Sequence, residues 1–352
     1  MRSNNWSFVG MRLLLALAAA PISIVAAAPA QSEAAGYRVV KKIPVGGEGF
    51  WDYLIVDNEA RRLYVSRGTH VMVLDPDAGT VVGDIPNTEG VHGIALVPEV
   101  GRGFTSNGRA STVTIFDLKT LKEIAQVKTT GQNPDAIIYD PASRRVFTLN
   151  GRGGNSTAID AGTGTVAGTI ELGGKPEFAT ADGKGRVYVN LEDKSMVVAV
   201  DSQQLKVESR WPLAPCEEPS GMAIDREHRR LFVGCHNQMM AVMDADTGRV
   251  LATPAIGQGV DANAFDPETQ LAFSSNGDGT LTVVHEDSPD KFTVVGNVQT
   301  QRGARTMALD PKTHNIFLVT AEFGPPPAPT AEHPRPRPTI VPGSFVVLVV
   351  GK

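Results

Sequence analysis

The chain has 352 residues, a formal net charge of −5 and two cysteines. A mildly acidic chain lacks the basic footprint of a general nucleic-acid binder. Its length would allow two domains, but a closed all-β repeat reaches this size as one.

The N-terminus reads as a secretory signal over 1–30. Arg2 and Arg12 supply the positive region, the run from Leu13 to Ala28 is the apolar core, and Ala28-Pro29-Ala30 offers a small-residue cleavage site before Gln31. Met11 as the start would give a shorter basic region. Pro21 interrupts the apolar run and no second run follows, so no membrane span is expected after signal removal. An uncleaved anchor is the competing reading. The expected mature chain, 31–352, is a single domain in the periplasm or outside the cell.

From Asp52 onward a six-residue phrase recurs. It reads DYLIVD at Asp52, HGIALV at His92, DAIIYD at Asp135, EFATAD at Glu177, SGMAID at Ser220, DANAFD at Asp261 and RTMALD at Arg305. The copies start about 40 to 44 residues apart, a period that marks a repeat architecture. Each phrase is followed by a turn rich in Asp, Pro, Arg and Gly. Next comes a second apolar run with an aromatic at a near-constant offset: Tyr64, Phe104, Phe147, Tyr188, Phe232, Phe273 and Phe317. A Gly/Asn stretch, a third run that usually ends in Asp and a fourth run complete the unit. Short apolar runs between regular turn signals predict antiparallel strands. Four strands per unit and seven units predict an all-β, seven-bladed β-propeller.

The last unit stops after its third run, SFVVLVV, and an orphan strand, YRVVKKIPV, precedes the first unit. Pairing the two completes the seventh blade, joins the termini and removes an open sheet edge. One insertion breaks the pattern. The proline-rich segment 323–343 lies between the second and third strands of the last unit, where its prolines exclude regular sheet.

The repeat resembles the YVTN-type, YncE-like propeller family of exported bacterial proteins. The resemblance rests on RRLYVSRG from Arg61, VYVNLED from Val187, RRLFVGCHN from Arg229 and the terminal Asp of the third strands. It covers about 37–352 and implies a blade rather than a reaction. Related propellers include lactonases and haem- or quinone-bearing dehydrogenase subunits, and no feature here carries either activity over.

Cys216 precedes the first strand of the fifth unit and Cys235 follows the second. In an antiparallel pair these positions share one end, within the ~4.4–6.8 Å Cα separation that a disulfide spans. Export favours oxidation, and two free thiols are the alternative. A metal pair from Cys235 and His236 is disfavoured, because adjacent strand residues face opposite sides.

The first residue of each phrase should form a ring at the upper mouth of the central shaft: Asp52, His92, Asp135, Glu177, Ser220, Asp261 and Arg305. A second, outer ring of expected ligand-binding positions should follow the second strands: Arg67, Asn107, Asn150, Asn190, His236, Asn276 and Glu322, with His70 and Arg109 nearby. Arg67, Arg109, Arg152 and Arg305, beside Asn-Gly turns, either capture anions in bidentate fashion or simply solvate their turns. Trp51 either stacks on a ligand or packs between blades.

Four carboxylates around one mouth repel unless a cation, a shared proton or water relieves them. In one reading Asp52, Asp135, Glu177 and Asp261, with Asn263, hold calcium, which prefers oxygen ligands. A cation there would activate water against an ester or lactone, with His92 or His236 moving the proton. In the other, the shaft is wet and the acids are simply solvated. No GxSxG, HExxH or CxxCH motif occurs, so no motif supports an elbow hydrolase, a common zinc protease or covalent haem attachment. No cofactor is demanded, and calcium is the candidate ion. The expected function is recognition of a small polar molecule or another exported protein through the mouth. A calcium-assisted lactonase or esterase is the alternative.

Overall fold

The computed structural model describes Met1 and residues 34–352, apart from 48, 329, 331–335 and 337. The expected signal segment therefore lies outside the described residues, as does part of the proline-rich insertion. The described residues build seven four-stranded antiparallel sheets. The inner strands are Leu54–Asp57, Val91–Val97, Pro134–Asp140, Pro176–Ala181, Pro219–Asp225, Val260–Asp266 and Met307–Asp310. Each touches the next, and the last touches the first, so the sheets are the blades of a closed propeller.

The seventh blade is assembled from both ends of the chain. Arg38–Pro44 runs antiparallel to Val346–Gly351, with Arg38 opposite Gly351, Lys42 opposite Leu348 and Pro44 opposite Val346. Tyr37, just before this strand, packs edge-on against Phe273 of the sixth blade at 5.2 Å.

The aromatic that recurs in the second strands explains how the blades adhere. Tyr64, Phe104, Phe147, Tyr188, Phe232, Phe273 and Phe317 are all at most 2% exposed. Each fully buried aromatic contributes about 1.5–3 kcal/mol through lost water contact. The terminal aspartates of the third strands have a local task. The Asp75 carboxylate accepts from the backbone N–H groups of Asp77 and Ala78, both at 2.9 Å, and Asp117 and Asp244 repeat the arrangement. These are Asx turns leading into the fourth strands.

A different set of aspartates, those ending the inner strands, stitches the lower face. Asp310 pairs with Arg61 of the next blade at 2.8 Å, Asp182 with Arg229 at 3.0 Å and Asp266 with His314 at 2.8 Å. Asp140 accepts from the Ser202 hydroxyl at 2.6 Å. Arg61, Arg229 and His314 occupy the same left-handed turn position in their blades, with φ between 51° and 60°.

The two cysteines form a disulfide, Cys216–Cys235, with Cα atoms 5.7 Å apart. Both are buried in the fifth blade. No helix among the described residues is long and apolar enough to cross a membrane.

Candidate functional site

The upper mouth is a cavity of about 880 Å³ at the start of the inner strands. Hydroxyl and amide groups fix the backbone of its ring residues. Ser106 donates to the Asp135 carbonyl and Ser275 to the Arg305 carbonyl, in each case from one blade to the next. Asn190 donates to the Ser220 carbonyl at 2.5 Å, and Ser220 to the Asp261 carbonyl at 3.5 Å.

Six of the seven ring residues line the cavity: Asp52, His92, Asp135, Glu177, Asp261 and Arg305. Ser220 is buried instead. The charged groups form local pairs. His92 Nδ1 lies 2.6 Å from Asp52 Oδ2 and 3.6 Å from Asp135 Oδ1. Lys175 Nζ lies 3.1 Å from Glu177 Oε2 and also pairs with Glu192. Arg305 Nη1 lies 3.3 Å from Asp261 Oδ1. The His92 ring is wedged against Gly108, where an added Cβ would come within 2.7 Å of its Nε2.

Burial and the neighbouring charges shift these groups upward, for different reasons. Burial pushes Asp135 to about 7, with His92 opposing and Asp52 and Glu177 adding. Burial likewise pushes Asp261 to about 8, against Arg305 and with the other mouth carboxylates. For His92 burial acts downward, but the hydrogen bond to Asp52 and the surrounding carboxylates prevail and raise it to about 9.

Tyr53 and Phe178 floor the mouth. Their rings, from the first and fourth blades, stack with centroids 5.5 Å apart. The Tyr53 hydroxyl donates to the Glu177 carbonyl at 3.3 Å. Burial and then the charges of Asp135, Asp52, Glu177 and Asp261 raise its pKa well above the usual phenol range. Sequence reasoning passed over both rings and Lys175. The signal was present: Tyr53 and Phe178 stand in a column that elsewhere holds Gly93, Ala136, Gly221, Ala262 and Thr306.

The outer ring divides. Arg109, Arg152 and His236 line the cavity. Asn107, Asn150, Asn190 and Asn276 do not, because they are buried inside the blades. The Asn107 amide donates to Thr112 at 3.1 Å and Thr114 at 2.8 Å, and Asn276 makes the same bonds to Thr280 and Thr282, both at 3.1 Å. Asn150 donates to Asn155 and Thr157. Asn107, Asn150 and Asn276 thus tie the second strand to the third, and Asn190 ties its blade to the next, which corrects the expectation that these four face a ligand.

Arg67 is 1% exposed, with its guanidinium 3.6 Å from the Phe345 ring centroid, so it braces the first and seventh blades rather than meeting a ligand. His70 turns to Asp84 at 3.6 Å, and neither it nor Glu322 lines the cavity. Trp51 packs between the blades, as one of the two readings of it expected, and also lines the cavity. It packs on Phe345 at 5.3 Å and on Phe323, the base of the proline-rich insertion, at 6.1 Å.

The five-residue calcium set does not assemble. Glu177 and Asp261 are held by their own cations. Asn263 points into the junction between the fifth and sixth blades, where a Cβ at Gly234 would lie 2.5 Å from its Oδ1. The cause is a bulge between Val260 and Ala262, which breaks the alternation that would set Asn263 beside Asp261. The group that does assemble is Asp52, His92 and Asp135, whose ligand atoms lie within 4.8 Å of one another. An imidazole between two carboxylates suits a zinc-type ion better than calcium.

No family model matches the chain, and no curated protein matches it. Solved structures match its architecture. Hydrazine synthase of Kuenenia stuttgartiensis is 13% identical with a TM-score of 0.67, the match covering 78% of this chain and 92% of that one. U3-55K is 8% identical with a TM-score of 0.72, covering 89% of this chain and 98% of that one. At such identities the likeness is one of fold, since a propeller is a platform on which unrelated sites are built. The YVTN-type likeness rests on the blade motifs alone.

Proposed function

We propose that the chain is an exported, YVTN-like recognition module that binds a small polar molecule at the upper mouth. The observation that carries this reading is the pairing of the mouth acids with separate cations around one cavity: Asp52 with His92, Glu177 with Lys175 and Asp261 with Arg305. Separate pairs present alternating donors and acceptors to a ligand's hydroxyl, carboxylate or amino groups. The volume of about 880 Å³ falls within the range of small-molecule sites. Phe50, 70% exposed at the rim, and Trp51 beside it offer aromatic faces for stacking. The buried disulfide supports export to an oxidising compartment, for which the segment 1–30 is the proposed signal.

The test is a thermal-shift and calorimetric screen of the mature chain against sugars, amino acids, hydroxy acids and polyamines. A ligand that raises the melting midpoint in the parent, and binds at least tenfold more weakly to both Asp135→Asn and Arg305→Ala, supports the reading. Equal affinity in the parent and both variants places binding elsewhere and overturns it.

The Asp52, His92 and Asp135 cluster favours a second reading, a metal-assisted hydrolase of lactones or esters. A divalent ion held there would supply Lewis-acid chemistry, and His236 lines the same cavity. Elemental analysis of native protein with an ester and lactone panel tests it. Chelator-sensitive turnover lost in His92→Ala supports a hydrolase, and metal-free protein inert on the panel removes it.

A further inference from the structure

The lower face holds a second cluster, at the junction of the fifth and sixth blades. Asp225 ends the inner strand Pro219–Asp225 and its side chain is 2% exposed. By the pattern of Asp310, Asp182, Asp266 and Asp140, a cation or hydroxyl from the following blade should meet it. The position that holds Arg61, Arg229 and His314 elsewhere is Gln270 here, and its amide turns away to the Pro267 carbonyl at 2.7 Å.

What reaches Asp225 from the sixth blade is another acid. Glu286, on the strand Thr280–Ser288, is 3% exposed. His228, from the turn after Asp225, stands between them, with Nδ1 2.8 Å from Asp225 Oδ2 and 3.1 Å from Glu286 Oε1. The second Glu286 oxygen is buried without a hydrogen-bond partner among the described residues. Arg230 is engaged elsewhere, by Asp244 at 2.9 Å and the Pro289 carbonyl at 2.7 Å. Two buried carboxylates share one imidazole here, so the cluster calls for a cation or a shared proton to relieve the acids.

We propose that Asp225, His228 and Glu286 form a divalent-metal site of zinc type that joins the fifth blade to the sixth. Imidazole nitrogen and carboxylate oxygen are both donors that zinc accepts, and a tetrahedral ion ~2.0–2.1 Å from its donors separates them by roughly 3.3 Å. The separations of 2.8 and 3.1 Å from His228 Nδ1 need only a few tenths of an ångström of opening. The backbone N–H groups of Glu227 and His228 hold the Asp225 carboxylate in place, at 2.9 and 3.1 Å. His228, 30% exposed, leaves the remaining coordination position open to water. The ion would do here what Arg61, Arg229 and His314 do at their junctions.

The experiment is zinc chloride titration of chelator-treated mature chain by calorimetry, in a His92→Ala background that removes the nitrogen donor of the mouth cluster. One equivalent of zinc is expected in His92→Ala. At least tenfold weaker binding is expected in His92→Ala/Glu286→Gln. No uptake by His92→Ala, or undiminished uptake by the double variant, overturns the proposal. Anomalous diffraction at the zinc edge from zinc-soaked crystals of the unaltered chain tests it without any substitution. A peak among Asp225, His228 and Glu286 supports the site, and a map without one there overturns it.

Discussion

Tyr53 of the first blade reaches across the shaft to the fourth, where its hydroxyl donates to the Glu177 carbonyl at 3.3 Å and its ring stacks on Phe178. Tyr53 thereby ties opposite walls of the mouth together. Burial leads the upward shifts of Asp135, Glu177 and Asp261 on those walls.

Removing the crossing bond should be measurable. Tyr53→Phe should lower unfolding free energy by about 1 kcal/mol, the net worth of one hydrogen bond. Tyr53→Ala also removes the stacked ring and should lose about 2–4 kcal/mol, toward the lower part of the range for aromatic truncations because Tyr53 is half-buried. Denaturant titration checks both, and unchanged midpoints would mean the floor is loose.

Asp261 gives a prediction with a definite sign. Its folded pKa of about 8 lies above that of an unfolded aspartate. Between the two values the folded state holds a proton that the unfolded state has released, so this group's contribution to stability falls as pH rises from about 4 to 8. Asn cannot titrate. Asp261→Asn should match the parent near pH 4 and exceed it above pH 8, by up to about 5 kcal/mol, the roughly four pH units between the two values counting ~1.4 kcal/mol each. Parallel stability curves for parent and variant would show that Arg305 fully compensates the carboxylate.

The disulfide closes a loop between positions 19 residues apart in the fifth blade. Chain-entropy arguments assign a loop of that length about 3 kcal/mol. The double variant Cys216→Ala/Cys235→Ala should lose roughly that amount and keep its β-sheet circular dichroism. Loss of all ordered structure would show that the bond is a condition of folding rather than an increment to it.

The repeat was legible because the period and the turn chemistry are local. Strand order, ring closure and the cysteine pairing all follow from where Asp, Gly and the aromatics recur. The site was legible only in outline. Six of the seven ring residues line one cavity, but their partners were hidden. Lys175 reaches Glu177 from a neighbouring turn, and His92 chooses Asp52 across a blade boundary. The outer asparagines were misread because an amide at a strand end can serve either a ligand or the neighbouring strand. Thr112 and Thr114 beside Asn107 were the sign that it served the strand. Asn263 was misread because alternation fails at a bulge, and a bulge leaves no clear mark in the sequence.

The closing strand carries the last prediction. Arg38–Pro44 is the outermost strand of the seventh blade, but it is tied to more than its partner. Ile43 is 5% exposed, and the Tyr37 hydroxyl donates to the His314 carbonyl at 3.1 Å. Val346–Gly351, against which it lies, is buried throughout. Deleting 37–45 would bare that strand as an apolar edge at the blade where the two chain segments meet to close the ring. The deleted chain should therefore lose its cooperative transition and aggregate, instead of losing one strand's worth of stability. Lys352 lies over the Tyr37 ring at 5.3 Å, so a short linker can join the ends. A circular permutant joined there and opened in the turn 202–205 should refold with its cooperative transition restored. A deleted chain with the parental midpoint would mean that closure rests on the other six junctions, and that the termini merely decorate the seventh blade.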